Sequence, residues 1–106
     1  MVIAITGKAD WDARMKDAGG KVVAVDFTAT WCGPCQMIKP LFEQLSQDCT
    51  NVLFWKVDVD QCEDIASEQG ISAMPTFKFY RNGQKIDEFT GANKDKLTEL
   101  VKKYNA

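Results

Sequence analysis

The sequence predicts an α/β fold whose elements run βαβαβαββα. Three observations carry that reading. Val22–Phe27 and Asn51–Asp58 are apolar on both parities, as in strands covered by helices on both faces. Stretches with apolar residues three and four apart separate them, the spacing of amphipathic helices. Near the end, Arg81-Asn82-Gly83-Gln84 joins two strand-like runs, and Asn-Gly is the strongest short hairpin signal.

Each element has its own justification. Val2–Thr6 is a short apolar strand. A helix over Lys8–Ala18 follows, with Trp11, Met15 and Ala18 on one face and Gly19-Gly20 as its stop. Lys21–Thr28 is the central strand. The next helix, from about Cys32 to Gln47, aligns Cys35, Ile38, Leu41, Phe42 and Leu45. Pro34 suits its first turn, whereas Pro40 is interior and is expected to kink it. Asn51–Asp58 is the third strand, with Lys56 its single charged interruption. Gln61–Gln69 is a short helix turning Cys62, Ile65 and Ala66 inward, ended by Gly70. Pro75–Tyr80 and Lys85–Thr90 form the hairpin. After Gly91, Asn93 can cap a last helix with the stripe Leu97, Leu100, Val101 and Tyr104. Strands joined through helices should be parallel, and the final pair antiparallel. Trp11 and Trp55 are most simply core residues.

The 106 residues suffice for a single domain, 1–106, around one core. The hydrophobic share of 45% and charged share of 26% are those of an ordinary globular chain. With a net charge of −2 and dispersed Lys and Arg, no basic patch suggests nucleic acid. No apolar run approaches the ~18 residues of a membrane span, and Met1–Ile5 is too short for a secretory leader. A cytoplasmic protein without membrane contact is expected. The chain has no histidine, so Ser–His and Cys–His catalysis are excluded.

The chemistry concentrates at Trp31-Cys32-Gly33-Pro34-Cys35, where the central strand gives way to a helix. Cysteines at i and i+3 of a first helical turn can close one disulfide and reopen it. A structural pair or half of a zinc site is the alternative, but a pair beside a βαβ pattern favours redox chemistry, and Cys49 and Cys62 do not form the second close pair that a zinc ribbon needs. Cys32 sits at the open helix end, exposed, where unpaired amides and the helix dipole favour the thiolate by about 0.3–1 kcal/mol. Cys35, one turn deeper beside Ile38 and Phe42, should be buried and harder to ionise. Cys32 is therefore read as the attacking sulfur and Cys35 as the resolving one. Gly33 lets a substrate backbone approach, and Pro34 withholds an amide that would steady the thiolate, which keeps the pair reducing.

Asp26 is the second anomaly, a carboxylate inside an apolar strand. It is either an inward acid paired with a cation or a strand-end residue, or a desolvated acid with a raised pKa that takes the proton of Cys35. Lys56 is either its partner or an edge lysine reaching solvent. Cys62 reads as core, and Cys49, just past a helix, as an exposed thiol. Neither needs a redox role.

Val25-Asp26-Phe27, Ala29 to Cys35, the Lys56–Asp60 run KVDVD, Met74-Pro75-Thr76-Phe77, Asn82-Gly83 and Gly91-Ala92 occur in one order across nearly the whole chain. In these the sequence resembles the thioredoxin family, and Thr30, Met37, Lys39-Pro40 and Cys62 resemble its animal cytosolic type more than the bacterial one. The resemblance implies a thioredoxin fold, a five-stranded mixed sheet flanked by four helices. It implies a redox-active Cys32–Cys35 disulfide, no bound cofactor or metal, and recharging by an NADPH-dependent thioredoxin reductase. It implies that Pro75 is cis and faces the disulfide, and that the Met74 backbone pairs with extended substrate. Trp31, Gly33, Pro34, Val59, Met74, Gly91 and Ala92 would then line the docking surface, and Asp26 would be the proton acceptor. Thr28 stands where many bacterial members carry tryptophan, and Met74 where isoleucine or threonine is frequent, which bears on target preference.

The expected function is a general protein-disulfide reductase acting as a monomer on disulfide-containing proteins. A non-catalytic binding module using the same docking face is the alternative. Glutaredoxins more typically carry tyrosine inside the motif, and oxidising isomerase domains carry histidine, so Pro34 argues against both.

Overall fold

Val22–Thr28 forms the middle strand of a five-stranded sheet, as apolar residues on both of its faces require. The computed structural model describes residues 1–106 as β1 (Val2–Ala4), α1 (Lys8–Asp17), β2 (Val22–Thr28), α2 (Gly33–Asp48), β3 (Val52–Asp58), α3 (Glu63–Glu68), β4 (Thr76–Arg81), β5 (Gln84–Thr90) and α4 (Lys94–Asn105). The sheet order is β1-β3-β2-β4-β5. β1, β3 and β2 are parallel, whereas β4 runs antiparallel to β2 and pairs with β5 as a hairpin.

The expected elements are all present, with shifts at their ends. β1 stops at Ala4 rather than Thr6, although the Ile5 amide still donates to the Lys56 carbonyl at 3.0 Å. α2 starts at Gly33 because Cys32 is its extended cap, and it runs unbroken through Pro40. α3 is shorter than its apolar spacing suggested. The hairpin turn is only Asn82-Gly83, both at positive φ (53° and 78°), so β4 and β5 each extend one residue into the expected loop. Two such residues give the turn the twist of the flanking strands.

Alternation along the strands sends side chains to two cores. On one face Ala24, Phe54, Phe77 and Phe79 pack with Ile38, Phe42 and Leu45 of α2 and Leu97 and Leu100 of α4. On the other, Val23, Val25, Phe27 and Trp55 meet Trp11 of α1 and Ile65 of α3. Trp11 makes edge contacts to Trp55 at 5.6 Å and Tyr80 at 5.4 Å between ring centroids. Each buried side chain of this size contributes roughly 1.5–3 kcal/mol, which fixes the strands that carry the site.

Candidate active site

β2 delivers the chain to the sheet's carboxyl edge, where Ala29–Trp31 cross over to the start of α2. Cys32 caps the helix with extended backbone (φ −86°, ψ 110°). Its Sγ accepts the Cys35 amide at 3.2 Å, the place a serine or aspartate oxygen usually fills at a helix start. Pro34 in the same turn brings no amide hydrogen, so that of Cys35 is directed at the sulfur. Cys32 and Cys35 are joined as a disulfide across a Cα–Cα distance of 5.3 Å.

Cys32 is not open to solvent: it is 5% exposed, against 1% for Cys35. Ala29, Val59 and Met74 pack over the pair and shield both sulfurs. The two differ in surroundings more than in depth. Cys32 Sγ lies 3.9 Å from the Met74 carbonyl oxygen at the site's outer edge, while Cys35 belongs to the first turn of α2. Cys49 is likewise buried rather than exposed, because it ends α2 against Val52, Phe54 and Leu100. Cys62 is core as expected; its thiol donates to the Ile5 carbonyl at 3.5 Å, and burial pushes its pKa up.

Of the expected docking residues, Val59 and Met74 pack against the pair and Trp31, Gly33 and Pro34 adjoin it in the chain, whereas Ala92 packs against the core between α2 and α4. Trp31 is 68% exposed, and its ring N–H donates to Asp60 at 2.7 Å. Gly33 and Pro34 are exposed; Val59, Met74, Gly91 and Ala92 are half-buried. The Met74–Pro75 bond is cis, and the Gly91 amide donates to the Pro75 carbonyl at 2.8 Å. Asp60 as the anchor of Trp31 was not singled out from sequence. Its only signal was a run of carboxylates directly after the third strand.

Asp26 is 4% exposed and its Oδ1 has no hydrogen-bond partner. It is neither a strand-end residue nor one of a contact ion pair. Burial pushes its carboxyl up to about 7, against the opposing pull of the Lys56 charge. Lys56 stands beside it in the β2–β3 register, on an interior strand rather than an edge. Both line a cavity of about 290 Å³ together with Thr28, Gln36, Lys39 and Asp58. Lys39 and Gln36 went unassigned in the sequence because α2's solvent face gives no hint of which residues overhang β2. No group of three or more Cys, Asp or Glu is arranged to hold a metal ion.

The geometry therefore presents a disulfide at a helix start, a peptide carbonyl beside it, and a buried acid in the adjoining strand. Comparison with known proteins agrees with it. The thioredoxin family model matches residues 2–103. The thioredoxin of Equus caballus is 53% identical over 102 residues, covering 96% of this chain and 97% of that protein. That of Homo sapiens is 52% identical over 101 residues, covering 95% and 96%. The X-ray structure of Fasciola hepatica thioredoxin superposes with a TM-score of 0.93 at 40% identity, covering 96% of this chain and 98% of that one. Matched over nearly its full length in sequence and in fold, the chain belongs to the thioredoxin family, and Cys32–Cys35 is the redox-active disulfide through which it exchanges electrons with protein disulfides.

Proposed function

We propose that this protein is a general disulfide reductase working as a monomeric single domain, residues 1–106, in the cytoplasm, recharged by NADPH-dependent thioredoxin reductase. The observation that carries the reading is the Cys32–Cys35 disulfide set at the start of α2 beside the Met74 carbonyl. In the reduced form, the helix start and the Cys35 amide favour a Cys32 thiolate. That thiolate attacks one sulfur of a target disulfide, forms a mixed disulfide, and expels the other target sulfur as thiolate. Cys35 then gives up its proton and attacks Cys32 Sγ. The intramolecular disulfide closes and the second target sulfur leaves, so the target gains two electrons and the pair loses two.

Asp26 is the proton acceptor for Cys35 in this scheme. Its unpartnered oxygen and its raised pKa near 7 support that role, since a base poised near ambient pH both takes and returns a proton. Lys56 keeps that value from rising further. Trp31, Gly33, Pro34, Val59, Met74, Pro75, Gly91 and Ala92 form the docking surface, where an extended target segment pairs with the Met74 backbone.

Insulin reduction with NADPH and thioredoxin reductase tests the scheme. Wild type should consume NADPH in proportion to insulin reduced, and Cys32→Ser should lose at least about 10³-fold in rate, the loss expected when a nucleophile is removed. Insulin reduction undiminished in Cys32→Ser would overturn the assignment. Absence of thiol-dependent turnover in the wild type would favour a binding module.

A further inference from the structure

The loop between α3 and β4 ends in Met74-Pro75, and its position decides where the Met74 carbonyl lies relative to Cys32. Backbone bonds hold its two ends, the Ile71 amide donating to the Ala66 carbonyl at 2.9 Å and the Gly91 amide to the Pro75 carbonyl at 2.8 Å. Ser72 and Ala73 are exposed, Ile71 and Met74 are only half-buried, and residues 70–75 form no regular element. Further restraint comes from one face of β4. Thr76, Lys78 and Tyr80 alternate with Phe77 and Phe79 and are all buried on the side opposite α2 and α4.

Each of these three polar side chains holds the segment that precedes the strand. The Thr76 hydroxyl donates to the Ala73 carbonyl at 2.6 Å. The Lys78 ammonium donates to the Gln69 carbonyl, and the Tyr80 hydroxyl to the Gln69 side-chain oxygen at 2.6 Å. Gln69 closes α3, so the lysine supplies a charged donor to a carbonyl for which the helix has no amide. Gly70, at φ +68°, then turns the chain out of the helix. Lys78 is only 7% exposed, with Glu88 of β5 at 3.5 Å as its counter-charge. A buried cation aimed at one backbone carbonyl is a costly way to fill a core position. A methionine would fill that space without holding the loop.

We propose that Lys78, seconded by Tyr80, is a positioning residue for substrate docking: by holding Gln69 it sets the loop that carries the Met74 carbonyl against Cys32. The proposal deepens the docking reading above and depends on it. A protein disulfide docks on the Met74 backbone and feels the loop's position, whereas a small disulfide needs only the Cys32 sulfur.

The test compares kcat and KM for insulin with the rate towards 5,5′-dithiobis(2-nitrobenzoic acid), a small disulfide. Lys78→Met should raise the insulin KM about three- to tenfold, with kcat and the small-disulfide rate within about twofold of wild type. Tyr80→Phe, which removes only a hydroxyl, should shift KM in the same direction by less, and carries the test if Lys78→Met does not fold. Lys85→Met removes the other cation on Glu88 and should leave both substrates at wild-type values. Equal loss on both substrates, or an unchanged insulin KM in Lys78→Met and Tyr80→Phe, would overturn the proposal. Trp31→Ala separates the two levels. If it raises the insulin KM while the β4 variants do not, the clamp fails and docking stands; if it too has no effect, the docking surface itself is wrong.

Discussion

Asp26 couples the stability of the protein to its redox chemistry. In the folded disulfide form burial pushes its carboxyl up to about 7, against 3.8 for the free side chain. Between those values the folded state keeps a proton that the unfolded chain has released, so stability falls as pH rises through that window. It is fully present below about pH 4 and lost above about pH 7, a difference on the order of 4 kcal/mol. Asp26→Asn abolishes that titration. The variant should gain several kcal/mol over wild type at pH 8 and much less at pH 4, while reducing insulin more slowly at neutral pH. Denaturant unfolding at the two pH values checks the first part, and an equal gain at both would contradict it. This residue was legible in the sequence because a lone carboxylate in a strand with no exposed face must be buried. Lys78 was not legible. Thr-Phe-Lys-Phe-Tyr-Arg reads as ordinary alternation with its polar side in water, and only the placement of α3 over that side turns the lysine inward.

At the scale of the element, caps and turns set the boundaries. Asn93 begins α4 by accepting the Lys96 amide at 2.9 Å, and its extended backbone (φ −89°, ψ 100°) is that of a cap. Asn93→Ala should cost about 0.5–2 kcal/mol by urea unfolding, with insulin reduction unchanged, because α4 packs beside α2 in the core and places no residue against the disulfide. A loss of activity without a loss of stability would mean that α4 bears on the site directly. The caps and the Asn-Gly hairpin were readable because each needs particular residues at fixed offsets. Element ends without such residues are less legible: Cys62 and Ile65 share helical spacing, although the helix proper begins at Glu63. A helix start is usually wet, so the sequence points Cys32 to the surface, where the structure buries it. The covering residues Val59 and Met74 come from distant segments that no local pattern brings together.

The whole molecule is a sheet with a core on each face, and the site occupies the edge where parallel β2 and β3 end. In open α/β sheets the carboxyl ends of the strands leave a crevice free of helices, and reactive groups collect there. Each core contributes. The α2 and α4 side holds the helix that bears both cysteines, and the α1 and α3 side holds the segment that leads to Met74. The element order was predictable from the sequence alone, whereas the convergence of Cys32 and Met74 depends on strand order. Strand order follows from pairing between segments far apart in the chain.

That convergence gives the two sulfurs different tasks, and limited alkylation of the reduced protein at pH 7, with peptide mapping, measures the difference most directly. Cys32 should be labelled first, well ahead of Cys35, Cys49 and Cys62, because only its sulfur has a helix start and the Cys35 amide to favour the thiolate. Labelling of Cys35 before Cys32, or of Cys32 no faster than an ordinary free thiol, would contradict the account.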